Sequence, residues 1–291
     1  MAADGCLHRQ TSSTFIDYRD ARGNGMAAHQ VLQNTLKDKL ARGEIAASMF
    51  VRLVRSIEIA QLAKTAGFDS LYIDLEHSSF SLDATGQICM AALLVGITPL
   101  VRVPSLAPAY IARVLDGGAL GVIVPHINSA ADAERVVRAA KFPPVGDRAM
   151  TSALPQLRYQ SYSPAEAASI VNDATMVVAM IETLEALENV EQIAAVPGID
   201  LLLVGTNDLT ALMDIPGQFD HNLVHKAYSR CIDACRRHGK TLGIGGLSSR
   251  PDLVAEFVRL GARFVSTGSD LSFLLGSAIE KVKFVRDLQT R

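Results

Sequence analysis

Four polar residues that can do chemistry stand at or just beyond the ends of short apolar runs, far apart in the sequence. They are a histidine, an arginine and two carboxylates: His77, Arg102, Glu182 and Asp208. An imidazole can move a proton, and a guanidinium inside an apolar run must find an anion. Two neighbouring carboxylates suit a hard divalent cation, which keeps its other positions for water and substrate. A 2-keto acid can chelate such an ion, which then acts as a Lewis acid on a developing enolate.

Each of the four also has an ordinary structural interpretation. Asp208 can cap the helix that follows it, and a helix dipole favours a carboxylate such as Glu182 near its start. His77 can be a hydrogen-bonded surface histidine. We nevertheless expect a functional site. Each of the four residues stands at or near the end of a different apolar run, and Arg102 needs an anion.

The positions of the lysines argue against imine chemistry. A Schiff-base aldolase needs a lysine that points into its active site. None of the lysines ends an apolar run; all fall in predicted helices or before predicted strands. The sequence therefore favours a metal-dependent route over an imine.

Eight short apolar runs alternate with amphipathic, helix-like segments and predict the elements that position these residues. The runs are nearly continuous, which is typical of strands buried on both faces of a parallel sheet. They cover residues 45–50, 70–74, 98–103, 121–125, 176–181, 201–205, 241–245 and 263–267. Eight βα units in about 250 residues predict an α/β fold of the (β/α)8 TIM-barrel type. A doubly wound sheet is the competing arrangement, but no GxGxxG motif opens a helix after the first run.

In a barrel of this kind the active site lies at the C-terminal ends of the strands, so the four residues should meet on one rim. Residues 28–291 are predicted to form this single barrel domain, beginning with a helix over 28–40. Residues 1–27 are polar and predict a flexible N-terminal extension. The long segment 142–164, between the fourth and fifth strands, is typical of an active-site lid.

Composition excludes several other classes of protein. The chain has 291 residues, of which 49% are hydrophobic and 20% charged, and its net charge is −2. This near-neutral balance predicts no nucleic-acid partner. No apolar run reaches the roughly 20 residues of a membrane span, and the 4 cysteines make no disulfide framework. We expect a cytoplasmic protein without a membrane partner.

Several motifs resemble the HpcH/HpaI aldolase family, in order along the chain. They are Asp74-x-Glu76-His77, Pro99-Leu-Val-Arg102-Val-Pro104, Leu115-Asp116-Gly117-Gly118-Ala119, Phe142-Pro143-Pro144-x-Gly146-x-Arg148, Ile181-Glu182-Thr183 and Gly205-x-x-Asp208-Leu209. The resemblance implies a class II aldolase or lyase of the barrel fold. Such an enzyme acts on a 2-keto acid such as pyruvate or oxaloacetate through a pyruvate enolate, with an aldehyde as acceptor. It implies a divalent metal, Mg²⁺ with Mn²⁺ or Co²⁺ as alternatives, and no organic cofactor.

The resemblance also implies roles at the metal. Glu182 and Asp208 match the metal ligands, and Arg102 matches the arginine that holds pyruvate and stabilises its enolate. The backbone N–H groups of Asn207 and Asp208 would receive the substrate carboxylate at a helix start.

Further roles follow from the same resemblance. His77 matches the general base, oriented by Asp74 or Asp116. Arg148 would belong to the lid and meet the second substrate. Family members exchange C-terminal helices between subunits, so residues 271–288 are a candidate contact in a homo-oligomer, either a trimer or a hexamer built as a trimer of dimers.

Three positions depart from the family pattern. The usual Gly-Pro-x-Asp-Leu-Ser turn is Gly205-Thr206-Asn207-Asp208-Leu209-Thr210, a common Gln is Met180, and the Gly after the lid arginine is Ala149. Two alternatives therefore stay open. One is a macrophomate-synthase-like enzyme that decarboxylates oxaloacetate and then forms a carbon–carbon bond. The other is a non-catalytic barrel that binds a carboxylate or serves as a scaffold.

Overall fold

Eight parallel strands close into a barrel in chain order in the computed structural model, which describes residues 32–151 and 153–290. The strands are β1 Ala46–Val51, β2 Ser70–Asp74, β3 Thr98–Arg102, β4 Gly121–Val124, β5 Met176–Ile181, β6 Leu201–Gly205, β7 Thr241–Gly245 and β8 Phe264–Ser269. β8 pairs back with β1, so the sheet has no free edge. The predicted (β/α)8 barrel is confirmed, and the doubly wound sheet is excluded.

Helices surround the barrel, and most of them cover the strands. They are α1 Thr35–Ala41, α2 Glu58–Thr65, α3 Leu82–Val95, α4 Pro108–Asp116, α5 Ala130–Ala140, α6 Pro164–Ala174, α7 Leu184–Glu188, α8 Val190–Ala195, α9 Thr206–Leu212, α10 Asn222–Arg237, α11 Pro251–Leu260 and α12 Asp270–Asp287. Short 3-10 turns cover Pro155–Leu157 and Leu288–Thr290. Within the described ranges no helix is both long and apolar enough to cross a lipid bilayer.

The strands are continuously apolar because both of their faces are buried. Side chains that point outward pack against the helices in one large cluster. Side chains that point inward, among them Tyr72, Leu100 and Phe264, fill the barrel interior in a second cluster. This interior packing leaves space for a ligand only at the ends of the strands.

Helix α1 closes the N-terminal end of the barrel. Leu36 is fully buried among the interior side chains. The Asn34 amide donates to the carbonyl of Leu120, the residue before β4, and to the carbonyl of Ala174, two residues before β5. The predicted helix over 28–40 begins only at Thr35, because the Asn34 side chain caps it there. Residues 28–31 and the extension expected over 1–27 lie outside the described residues.

The segment 142–164 lies at the N-terminal end of the barrel, so the expectation of a lid is corrected. It follows helix α5 rather than a strand, and in a βα unit the chain returns to the strand starts at the end of the helix. Gln156 donates to the carbonyls of Leu115 and Ala119, at the approach to β4. The segment therefore packs under the barrel, opposite the C-terminal mouth.

Candidate active site

Asp74 organises the turn that follows β2. As the last residue of the strand it is fully buried. Its carboxylate accepts hydrogen bonds from the backbone N–H of Glu76 at 3.0 Å and of His77 at 3.2 Å. These bonds fix the positions from which the Glu76 and His77 side chains leave the chain at the barrel mouth.

Arg102 ends β3 directly beside Asp74, since the two residues are partners in the parallel register. Its Nε donates to Asp74 at 2.8 Å, and its Nη1 lies 2.8 Å from a Glu76 carboxylate oxygen. Its guanidinium also lies 5.5 Å from the ring centroid of Phe50 and 5.6 Å from that of Tyr72. The anion that this buried cation is predicted to need is thus supplied by the chain itself, in the form of two carboxylates.

Arg102 stays positively charged in this site. Burial lowers the pKa of Arg102, but the neighbouring Tyr72, Asp74 and Glu76 raise it by more, so the net pKa lies above the ordinary value. With Nε and Nη1 occupied, the remaining amino group stays available for a ligand, because a guanidinium carries five N–H donors in a fixed fork.

Glu182 follows β5 and is 2% exposed. Its Oε1 accepts from the backbone N–H of His126 at 2.8 Å, and the Nδ1 of that histidine lies 3.2 Å away. A side chain at Gly205 would bring its Cβ within 2.8 Å of the other oxygen, Oε2. Only glycine therefore fits at this position of β6.

Negative charge is concentrated around Glu182. Burial is the main reason that the pKa of Glu182 is raised, the hydrogen bond and charge of His126 lower it, and the charges of Glu76 and Asp208 raise it further. Carboxylates that disfavour each other's charge in this way are stabilised by a cation placed between them. Glu182 and Asp208 are therefore suited to hold a divalent ion.

Asp208 and Asn207 lie in the first turn of α9 and are exposed at the mouth. The turn is held from below by Thr206, whose hydroxyl donates to the Gly245 carbonyl at 2.6 Å and lies 2.7 Å from the Tyr228 hydroxyl. The departure from the family turn at Thr206 thus has a structural role, because its side chain is fully buried.

A cavity of about 400 Å³ opens at the C-terminal ends of the strands. Four of the residues singled out in the sequence line it: His77, Arg102, Asn207 and Asp208. Glu182 lies directly behind Gly205, which also lines the cavity. The expectation that these residues converge on one rim agrees with this arrangement.

The structure places the other expected site residues differently. Asp74 contacts the backbone of His77 and not its ring. Asp116 ends α4 at the opposite end of the barrel, where it binds Arg148 at 2.6 Å. Arg148 is 3% exposed and lies over the ring of Phe142, so neither residue reaches the mouth of its own barrel.

Two residues of the site, Glu76 and His126, are not predicted from the sequence. Glu76 lies in the motif Asp74-x-Glu76-His77, and its carboxylate is 3.6 Å from the Nε2 of His77. His126 links Glu76 at 3.6 Å to Glu182 and adopts a positive φ of 55°. A histidine just beyond the fourth apolar run was the available signal. Non-glycine residues with positive φ are uncommon and concentrate at functional sites.

Among the described residues no three His, Cys, Asp or Glu side chains are grouped as a metal site. A metal held by Glu182 and Asp208 alone would keep most of its coordination positions for water and substrate, which is the usual arrangement for Mg²⁺.

Comparison with known proteins places this site in a family. The model of the family HpcH/HpaI aldolase/citrate lyase matches residues 46–276. A 4-hydroxy-4-methyl-2-oxoglutarate aldolase of Chaetomium globosum is 40% identical over 250 residues, covering 85% of this chain and 93% of the relative. Another, of Hapsidospora irregularis, is 41% identical over 261 residues, covering 88% and 96%.

Solved structures agree with this relationship. An HpcH/HpaI aldolase of Desulfitobacterium hafniense DCB-2 has a TM-score of 0.82 at 29% identity and covers 86% of this chain and 96% of its own. Macrophomate synthase has a TM-score of 0.74 at 22% identity, covering 88% and 91%, a likeness that shows the fold alone.

The two curated relatives are aldolases, and aldolases are carbon–carbon lyases, so the expected enzyme class is confirmed. A non-catalytic scaffold does not fit this relationship. The family match spans most of the barrel and includes every residue that lines the mouth. The chain belongs to the HpcH/HpaI aldolase/citrate lyase family.

Proposed function

We propose that this chain is a divalent-metal-dependent class II aldolase that cleaves or forms a carbon–carbon bond of a 2-keto acid through a pyruvate enolate. The observation that carries the proposal is the convergence of Arg102, His77 and Asp208 on one cavity with the buried Glu182 directly behind it. This combines a fixed cation, a titratable base and two carboxylates in one place, as enolate chemistry requires.

Glu182 and Asp208 would hold the ion, for which Mg²⁺ is the expected metal and Mn²⁺ or Co²⁺ are alternatives. When bound, the ion supplies Lewis-acid polarisation of the keto oxygen and stabilises the developing enolate. Support comes from the raised pKa of Glu182, since burial and the nearby charges of Glu76 and Asp208 outweigh the hydrogen bond and charge of His126 and disfavour negative charge there.

The protein's own residues would carry the proton and the substrate. In the cleavage direction His77 takes the proton of the C4 hydroxyl, and the C3–C4 bond breaks with its electron pair entering the pyruvate enolate. The carbonyl product leaves, and the protonated His77 returns its proton to C3, which gives pyruvate. Arg102 holds the charged oxygens of the pyruvate part throughout. The backbone N–H groups of Asn207 and Asp208 are proposed to bind its carboxylate.

The test replaces each of the two carboxylates by an amide, which removes its negative charge and keeps the shape of the side chain. Glu182→Gln and Asp208→Asn should abolish Mg²⁺-dependent pyruvate release from 4-hydroxy-2-oxo acids, and Mg²⁺ should raise the unfolding temperature of the wild type but not of Glu182→Gln. Glu185→Gln, an exposed carboxylate on α7, is the matched control. Full activity of either site variant in the presence of a chelator would contradict the proposal. Rapid release of CO₂ from oxaloacetate without aldol cleavage would assign the decarboxylase alternative instead.

We further propose that a second copy of the chain covers α12, giving a homo-oligomer. Almost the whole helix projects away from its own barrel, and only Asp270 on it is buried. Its exposed apolar side chains are Leu271, Phe273, Leu274, Leu275, Ile279, Val282, Phe284 and Val285. A continuous exposed apolar surface of this kind supports a protein–protein interface.

A further inference from the structure

Arg52 is a cation at the barrel mouth that has no role in the reaction proposed above. It follows β1 and lines the same cavity as Arg102 and Asp208. Its Nη2 donates to the backbone carbonyl of His77 at 3.2 Å. In the part of the chain that the structure describes, no carboxylate forms an ion pair with Arg52, whereas Arg102 has two.

The backbone that carries Arg52 is firmly held. The N–H groups of Arg52, Leu53 and Val54 donate to the carboxylate of Asp270 at 3.1, 2.9 and 2.7 Å. Asp270 is buried at the start of α12 and also accepts from the N–H of Leu271. One carboxylate that receives several charge-assisted hydrogen bonds is a strong anchor. Arg52 therefore leaves the chain from a fixed point at the rim.

The location of Arg52 relative to the reaction follows from its contact with His77. If His77 takes the proton of the C4 hydroxyl, the substituents of C4 must lie beside His77. The Arg52 guanidinium donates a hydrogen bond to the backbone carbonyl of His77 and therefore lies near those substituents. Arg102 serves the pyruvate part, which already carries one carboxylate. A second carboxylate on C4 needs a second cation, because an unpaired charge in a half-closed cavity is costly.

We propose that Arg52 is a specificity-determining residue that binds a carboxylate carried on C4 of the substrate. The enzyme would then favour acceptors that are oxo acids over neutral aldehydes. Cleavage of such a substrate breaks the C3–C4 bond and gives pyruvate and a second oxo acid, with the proton of the C4 hydroxyl transferred to C3. This inference rests on the proposed aldolase function and adds to it the charge of the acceptor.

The experiment compares two substrates that differ only at C4. In 4-hydroxy-2-oxoglutarate C4 carries a carboxylate, and in 4-hydroxy-2-oxopentanoate it carries a methyl group. Arg52→Gln should lower the ratio of their kcat/KM values about 10- to 100-fold, since a charge-assisted hydrogen bond to the carboxylate is lost. Arg52→Lys should recover part of the ratio, because it restores the charge without the planar fork.

Arg55→Gln is the matched control. Arg55 stands on the same loop, is exposed and donates to the hydroxyl of Ser79, and it does not line the cavity. This variant should keep the wild-type ratio. An unchanged ratio in Arg52→Gln, or a wild type that prefers 4-hydroxy-2-oxopentanoate, would overturn the inference.

Exchange of the pyruvate methyl protons for deuterium in the wild type reports enolate formation without any acceptor. A wild type that exchanges these protons but cleaves no 4-carboxylate substrate retains the proposed function and loses the inference. A wild type that neither exchanges nor cleaves loses the proposed function itself.

Discussion

Arg102 is bound by Asp74 and Glu76 before any substrate arrives, and its guanidinium plane is held against Phe50 and Tyr72. A cation that is already oriented stabilises a developing enolate without further reorganisation. The planar fork is essential to this arrangement, because Nε and Nη1 bind two different carboxylates. Lysine carries the same charge on a single nitrogen and lacks the planar fork that directs separate N–H groups at the two carboxylates.

Arg102→Lys should therefore lower kcat/KM for pyruvate release by about 10²- to 10³-fold while the chain stays folded. Steady-state kinetics together with circular dichroism would measure both effects. Arg113→Lys, at an exposed position of α4, is the control for the substitution itself. Near-normal turnover by Arg102→Lys would show that the fork geometry is unimportant.

At this scale the sequence predicts which residues are near the site but not how they pair. Arg102 and Asp74 can be placed because both end apolar runs whose parallel register brings them together. The contacts of His126 with Glu76 and Glu182 depend on a residue with a φ of 55°, and no sequence pattern marks that turn. Resemblance assigns Asp116 to the site, and resemblance together with the length of the segment 142–164 assigns Arg148 to it, but the chain's own topology puts both residues at the other end of the barrel.

The elements themselves were more predictable, because strands buried on both faces leave unmistakable apolar runs. Their ends shift by only one or two residues. The helix-like segment between the fifth and sixth apolar runs forms two short helices, α7 and α8, which meet at Asn189. The amide of Asn189 donates to the carbonyl of Asn128 in a neighbouring loop, so the break is fixed by a long-range contact that local periodicity does not show.

Lys141, which ends α5, provides a prediction at the same scale. Its Nζ donates to the carbonyls of Asn172 and Thr175, which ties α5 to the end of α6. Burial is the main cause that lowers the pKa of Lys141 from 10.5 to about 8. Between these two values the unfolded chain binds more protons than the folded one, so this residue's contribution to stability rises with pH.

The difference in unfolding free energy between wild type and Lys141→Met should thus increase from pH 8 to pH 10.5, by up to about 3 kcal/mol. Urea unfolding of both proteins over this pH range measures the difference between their free energies of unfolding. The titration of all other groups cancels in this difference, because both proteins share those groups. A difference that stays constant or falls with rising pH would contradict the assignment.

For the whole molecule, the unusual feature is that one long helix is nearly uncovered. Helices α2 to α11 bury a face against the barrel, and α12 buries only Asp270. The family resemblance implies that residues 271–288 form a helix in contact with another subunit, but the sequence by itself cannot tell whether the same barrel or another copy covers it. The closed sheet leaves no strand edge for association, so association through this helix is the natural expectation.

Leu274→Glu combined with Phe284→Glu should convert the proposed oligomer to a smaller species at micromolar concentration, because charges would be buried in an apolar interface. Sedimentation velocity would measure the change in mass. Leu94→Glu on α3 is the control, since Leu94 is 85% exposed on a helix whose other face is buried in its own barrel. A wild-type chain that sediments as a monomer would contradict the oligomer.

The anchor formed by Asp270 joins two regions that otherwise serve separate purposes. Its carboxylate belongs to the first turn of α12, and the same two oxygens hold the backbone of Arg52 at the rim of the cavity. A displacement of that helix, for instance when a neighbouring subunit docks on it or departs, would carry the Arg52 guanidinium with it. The proposed assembly through α12 and the proposed selection of the acceptor by Arg52 would in this way be linked through a single acidic side chain.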